Sequence, residues 1–159
     1  AFTTGMNTPD QRIRESEWRS ALIKLRDSIL YCNSCGAENF YDGDQLQETG
    51  GALAPCWACE QPIKLPPRIR IDQSVVMLNR DSQLFPHHLG NAYQFDRPVA
   101  EVSRHPTNPN IWGLKNLSDR RWTITTAEGT IKDIEPNRSL TLAVGTKINF
   151  GQVTGEIRL

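Results

Sequence analysis

Cys32-Asn-Ser-Cys35 and Cys56-Trp-Ala-Cys59 hold all four cysteines of this 159-residue chain, and twenty residues separate the two pairs. Two C-x-x-C pairs at this separation fit a structural zinc site. The two-residue gap lets both thiolates of a pair turn toward one point, and two such turns complete a tetrahedron of sulfurs. Four thiolates leave no coordination position for water, so the expected ion, a single Zn²⁺, is structural rather than catalytic. Cys32, Cys35, Cys56 and Cys59 are the candidate ligands. The alternative, two disulfides in a secreted chain, asks neighbouring thiols of a C-x-x-C pair to bridge with strain. Cysteines confined to such pairs point instead to a reducing, cytoplasmic setting.

Working outward, Gly36 follows the second ligand and is free to take a left-handed turn. Asn39-Phe-Tyr41 reads as the start of a short strand pair, and Asp42-Gly43 and Gly50-Gly51 as turns. This stretch, residues 32–65, resembles a zinc ribbon. A module this short has little core, so metal must supply much of its folding energy. Many ribbons bind nucleic acid, but here no Lys or Arg occurs between Cys32 and Ile63. Five acidic residues do: Glu38, Asp42, Asp44, Glu48 and Glu60. Phosphate contacts need cations that release counterions, so the charge sign points to a protein partner or to a plain solvated face, and a nucleic-acid-binding ribbon is the least favoured reading. The formal net charge is zero, which gives no global field toward nucleic acid or membrane. The apolar runs are far short of the ~20 residues of a membrane span. No basic n-region precedes an apolar run as in a signal peptide, and a start at Ala1 without Met reads as a fragment of a longer chain.

Residues 1–31 contain one helical pattern. Thr8, Pro9 and Gln11 form a candidate capping box, with a second start at Ser16. Trp18, Leu22, Leu25 and Ile29 recur at helical spacing, with Ala21 beside them. One helix cannot bury this stripe alone, so it is expected to pack on the later domains or on something upstream. Ala1-Phe2, Gly5-Met6, Pro9-Asp-Gln-Arg12 and Glu17-Trp18 together resemble the end of a protein kinase C-terminal lobe. The resemblance implies that Arg12 matches an arginine that pairs with a glutamate near the activation segment; that glutamate is not in this chain.

Pro62-Ile-Lys-Leu-Pro-Pro67 is a stiff, extended connection. Beyond it, residues 66–159 read as strands: Ile69 and Ile71, Val75–Leu78, Trp112–Leu117, Arg121–Thr126, Thr130–Ile134, Leu140–Val144, Thr146–Phe150 and Gln152–Ile157. Short strands with turn signals between them mean a β-sandwich or barrel. The fold class is thus mainly β, with an N-terminal α-helix and a four-cysteine ribbon. Leu140-x-Leu and Val144-Gly-Thr-Lys-Ile-Asn-Phe-Gly151 resemble the closing strands of a forkhead-associated (FHA) domain, and the likeness spans nearly all of this half. That family binds phosphothreonine through Gly-Arg, Ser-x-x-His and Asn-Gly. Here Arg97 follows Asp96 rather than Gly, Ser103-Arg-His105 is one residue short, and Asn116–Arg121 has no Asn-Gly. Arg97, Ser103, Arg104, Arg120 and Arg121 are the candidates for a remaining phosphopeptide patch, and a phosphothreonine adaptor is the alternative function.

His87-His88, read on a strand, point to opposite faces and cannot easily share one metal, so they read as structural or hydrogen-bonding residues; His105 beside Pro106 reads as a turn residue. There is no Gly-rich phosphate loop, H-E-x-x-H or G-x-S-x-G, so the chain is not expected to be an enzyme. A kinase-lobe tail, a ribbon and an FHA-like sandwich in this order resemble the C-terminal region of bacterial serine/threonine kinases linked to tellurite-resistance (Ter) gene clusters. Those kinases occur with a von Willebrand factor A (vWA) domain protein and a phosphatase. The resemblance implies a regulatory region without kinase machinery that docks the vWA protein. A vWA domain typically presents a metal ion that accepts a partner carboxylate, which makes Asp42, Asp44 and Glu48 the candidate docking residues.

Overall fold

Ile69 and Ile71 alternate with Arg68 and Arg70, and this period of two opens a two-sheet sandwich. The computed structural model describes residues 8, 12–50, 52–90 and 94–159. Its first elements are helix α1 (Glu15–Asp27), strands β1 (Ile29–Tyr31) and β2 (Glu38–Phe40), and the short helix α2 (Gly43–Glu48). Ten strands follow: β3 (Arg68–Ile71), β4 (Ser74–Met77), β5 (Gln83–Leu84), β6 (Ala100–Arg104), β7 (Trp112–Asn116), β8 (Trp122–Thr125), β9 (Ile131–Ile134), β10 (Ser139–Thr141), β11 (Lys147–Asn149) and β12 (Thr154–Arg158). A 3-10 turn, Pro86–Leu89, lies between β5 and β6. The fold is mainly β, as the sequence pattern requires.

Six strands form one antiparallel sheet in the order β4-β3-β12-β11-β8-β9, and four form the other in the order β10-β7-β6-β5. Alternate side chains of both meet in one core. Ile69, Ile71, Trp122, Ile148 and Ile157 come from the larger sheet, and Leu84, Ala100, Leu114 and Leu140 from the smaller. Trp122 meets Phe150 edge-on at 5.0 Å between centroids. Each large side chain buried in this way contributes roughly 1.5–3 kcal/mol. Gly155 in β12 lets the β3 isoleucines close over it, since a Cβ there would stand 2.9 Å from Ile69 Cδ1.

Strands β5 and β6 were not expected. β6 turns only Ala100 and Val102 inward, and β5 has two residues, too few for a periodic signal. His87 and His88 lie on the 3-10 turn, not on a strand. Their rings therefore sit side by side, with centroids 3.9 Å apart, instead of facing opposite ways.

The helix begins at Glu15 with Arg14 as its cap; residue 8 is not helical, and Pro9 and Gln11 lie outside the described residues. The Arg14 backbone N–H donates to the Glu17 carboxylate at 2.6 Å, which does what the Thr8 box was expected to do. The apolar stripe is not buried against the sandwich. Trp18, Leu22 and Leu25 are 43%, 58% and 48% exposed, and Ile29 has left the helix for β1. The helix meets the sandwich at its last turn instead, where Asp27 is buried. β1 and β2 pair antiparallel, Leu30 opposite Asn39, so the ribbon hairpin starts before residue 32. The ribbon is held to the sandwich by Asn79 Nδ2, which donates to Ile29 O at 2.5 Å. Arg80 and Arg68 add to this by stacking on Tyr31 and Tyr41 at 4.8 and 5.4 Å.

Candidate metal centre

Both cysteine pairs fold into the same turn. The Cys32 N–H donates to Ala37 O and the Gly36 N–H to Cys32 O, each at 2.9 Å. In the second turn the Cys56 N–H donates to Gln61 O at 2.9 Å and the Glu60 N–H to Cys56 O at 2.8 Å. The residue four places after the first cysteine is left-handed in both, Gly36 at φ 75° and Glu60 at φ 59°. Two copies of one turn face each other and bring the four sulfurs together. Cys32 Sγ lies 3.6 Å from Cys59 Sγ, and Cys35 Sγ lies 3.7 Å from Cys56 Sγ.

These separations decide the chemistry. They are too long for a disulfide, whose sulfurs lie ~2.05 Å apart, and all four thiols are free. An ion ~2.3 Å from each corner of a sulfur tetrahedron sets the sulfurs about 3.8 Å apart. The cluster could hold a metal ion, and its geometry is compatible with structural zinc. Its electrostatics agree. Burial pushes Cys56 up, but donors from the Ala58 N–H, the Asn39 amide and the Cys59 N–H outweigh it and bring the thiol down to about 6. The N–H groups of Cys35 and Ser34 lower Cys32 in the same way. At Cys59 the Gln61 N–H favours the thiolate, yet the sulfurs of Cys35, Cys32 and Cys56, together with burial, push the thiol up to about 12. Four sulfurs this close cannot all ionise without a cation among them.

Asn39, absent from the sequence-level candidates, joins the two turns. It is buried; its Nδ2 donates to Ala37 O at 2.9 Å and to Cys56 Sγ at 3.5 Å, and its Oδ1 accepts from the Trp57 N–H at 3.3 Å. The one available signal was an Asn within a strand, a residue strands disfavour.

The acidic candidates are all exposed. Asp42 caps α2, its Oδ1 accepting from the N–H groups of Asp44 and Gln45 at 3.0 and 3.2 Å. The expected Asp42-Gly43 turn is thus a helix start, and Asp44 and Glu48 lie on that helix. The arginine candidates do not form one patch. β6 and β7 pair from Ala100 opposite Asn116 to Arg104 opposite Trp112. Ser103 and Arg104 therefore stand at one end of the sandwich, while Arg97, Arg120 and Arg121 flank the other. Arg121 pairs with Asp133 at 3.3 Å, and Arg104 lies over Trp112 at 4.5 Å. Arg12, matched to the kinase arginine, is exposed just before α1.

A second cluster was missed. Asp27, His87 and His88 bring three ligand atoms together. His88 Nδ1 accepts from the Phe85 N–H at 2.9 Å, so the Nε2–H faces Asp27 Oδ2 at 3.0 Å. Arg26 Nη2 lies 3.2 Å from Asp27 Oδ1 and 3.4 Å from His87 Nε2. A guanidinium already supplies the positive charge here, and the cluster is a buried polar joint between α1 and the sandwich. Asp27 was legible in one respect: an acid in the last helical turn opposes the helix dipole and needs a partner elsewhere.

No family model, curated protein or solved structure matches this chain. Among the described residues, no helix is long and apolar enough to cross a membrane.

Proposed function

We propose that the chain is a non-catalytic docking region in which a bound Zn²⁺ holds an acidic ribbon rigid against a β-sandwich, so that the ribbon can engage a partner protein. The observation that carries this reading is the closed four-sulfur cluster within a segment that has five acidic residues and no Lys or Arg. A closed sulfur tetrahedron offers a substrate no coordination position. The segment's charge sign opposes phosphate backbones.

The resemblance drawn from the sequence gives the reading its finer form. The region belongs to a cytoplasmic bacterial serine/threonine kinase of the Ter system, with the catalytic domain in cis, and its partner is a vWA-domain protein whose metal ion accepts a carboxylate. Asp42 already spends one oxygen on the α2 cap, so Asp44 and Glu48 are the better donors. The test is binding of the zinc-loaded chain to the vWA protein dialysed with and without Mg²⁺. Affinity is expected to fall at least tenfold without Mg²⁺ and similarly for Asp44→Ala or Glu48→Ala, on the order of a lost charge-assisted contact. Affinity indifferent to both would reject the docking mode.

A further inference from the structure

A groove of about 750 Å³ runs between the ribbon and the sandwich. The first cysteine turn forms one wall, the Lys64–Pro67 connection the floor, and the ends of β4, β6 and β7 the other wall. Its lining contains three cations, Lys64, Arg80 and Arg104, and no carboxylate. This is the reverse of the acidic ribbon surface beside it.

Two of the cations are fixed. Arg80 lies over the Tyr31 ring at 4.8 Å and Arg104 over the Trp112 ring at 4.5 Å. A stacked guanidinium has lost much of its rotamer freedom and presents its N–H edge outward, ready for a carboxylate fork. Arg104 makes no ion pair among the described residues. Arg80 shares its Nε with Asp81 at 3.3 Å, in a pair whose members are 58% and 67% exposed, a contact worth little in water. Leu65, Pro66, Leu78 and Ile111 give the lining apolar stretches, beside the amides of Asn33, Asn79 and Asn110.

We infer that this groove binds an extended acidic peptide segment, in which carboxylates alternate with apolar residues. The two guanidiniums are held on separate rings, so they suit single charges spaced along a chain better than one concentrated dianion. Side chains on one face of an extended strand recur every ~6.6 Å, and the apolar stretches accept the residues between. The inference does not depend on the identity of the ribbon's partner, because it uses a different surface of opposite sign.

The experiment is fluorescence anisotropy on the full zinc-loaded chain. The probe is a short labelled peptide alternating Glu with Val. It is compared with its Gln-for-Glu twin, a Ser-phosphorylated peptide without carboxylates, and a single-stranded oligonucleotide. The Glu peptide is expected to bind at least about tenfold tighter than the Gln twin and to weaken as salt is raised. Arg80→Gln and Arg104→Gln, which keep the side-chain stems, should each lose about tenfold, and Arg104→Lys should recover part of that loss. Arg97→Gln and Arg120→Gln, at the other end of the sandwich, should change nothing. Zinc content and thermal melts of the variants separate lost contacts from lost folding. Equal affinity for the Gln twin, or indifference to both groove substitutions in folded protein, would overturn the inference. So would tighter binding of the oligonucleotide or of the phosphorylated peptide.

Discussion

Gly36 and Glu60 occupy the same place in two copies of one turn, and only one of them is suited to it. Both are left-handed. That conformation costs a side-chain-bearing residue roughly 1–2 kcal/mol, and glycine almost nothing. Gly36→Ala should therefore lower stability by about 1 kcal/mol, and Glu60→Gly should raise it by a similar amount; thermal melts of the metal-loaded protein check both. Gly36 was legible in the sequence because glycine advertises its conformation. Glu60 was not, because its strain comes from the turn that Cys56 and Cys59 close. Asn39 belongs to the same scale. It donates to Cys56 Sγ and spans both turns, so Asn39→Ala should weaken metal affinity by about 10–100-fold, read by competition with a chromophoric chelator. The clustering of the four cysteines was legible because their spacing encodes it, whereas Asn39 reaches its place only through the pairing of β1 with β2.

Among the elements, α1 departs most from its sequence pattern. Periodicity fixed the helix and its apolar face, but it cannot say what that face meets. The joint to the sandwich uses Arg26 and Asp27 instead. Leu22→Ser, at a site 58% exposed, should change stability by less than about 0.5 kcal/mol. Asp27→Ala should cost about 3 kcal/mol, because it leaves His88 Nε2–H and Arg26 facing an empty, buried place; urea melts distinguish the two. The joint also responds to acid. Burial, and then the neighbouring His88 ring and Arg26 guanidinium, lower His87 to about 4, with Asp27 opposing. The unfolded chain therefore takes up this proton first, near the ordinary histidine value of ~6.5. Stability from this group is complete above that value and is lost as pH falls toward 4. Melting temperatures should drop more steeply between pH ~6.5 and ~4 in the parent protein than in His87→Gln. The histidines were misread because a 3-10 turn after Pro86 leaves no periodic trace, and alternation was assumed in its place.

At the scale of the whole molecule, two sources of stability lie side by side. The sandwich rests on a shared apolar core, and the ribbon, in the proposed reading, on an ion held by its four clustered cysteines. The strands of the larger sheet were legible because isoleucines and Trp122 alternate inward. In the smaller sheet β7 and β10 were legible, but β5 and β6 were not, since they have few apolar residues to count. Removing the ion with a strong chelator should unfold the ribbon and leave the sandwich intact. Trp57 is 74% exposed while its indole N–H donates to Glu38 O at 2.7 Å; it should lose that contact, while Trp122, 1% exposed, keeps its blue-shifted emission. Cys32→Ser should do the same without chelator. A single cooperative transition of both tryptophans would mean that the metal supports the sandwich as well.

The larger sheet ends at β9, whose outer backbone has no neighbouring strand among the described residues. Ile131 is 68% exposed there, but Lys132 and Asp133 follow it, and Asp133 is tied back to Thr123 and Arg121. A foreign strand seeking to extend the ladder would have to strip water from a lysine and break those ties. Charge at an open border of this kind guards against fibrous stacking, and replacing Lys132 and Asp133 with valines should turn a clear concentrated solution cloudy.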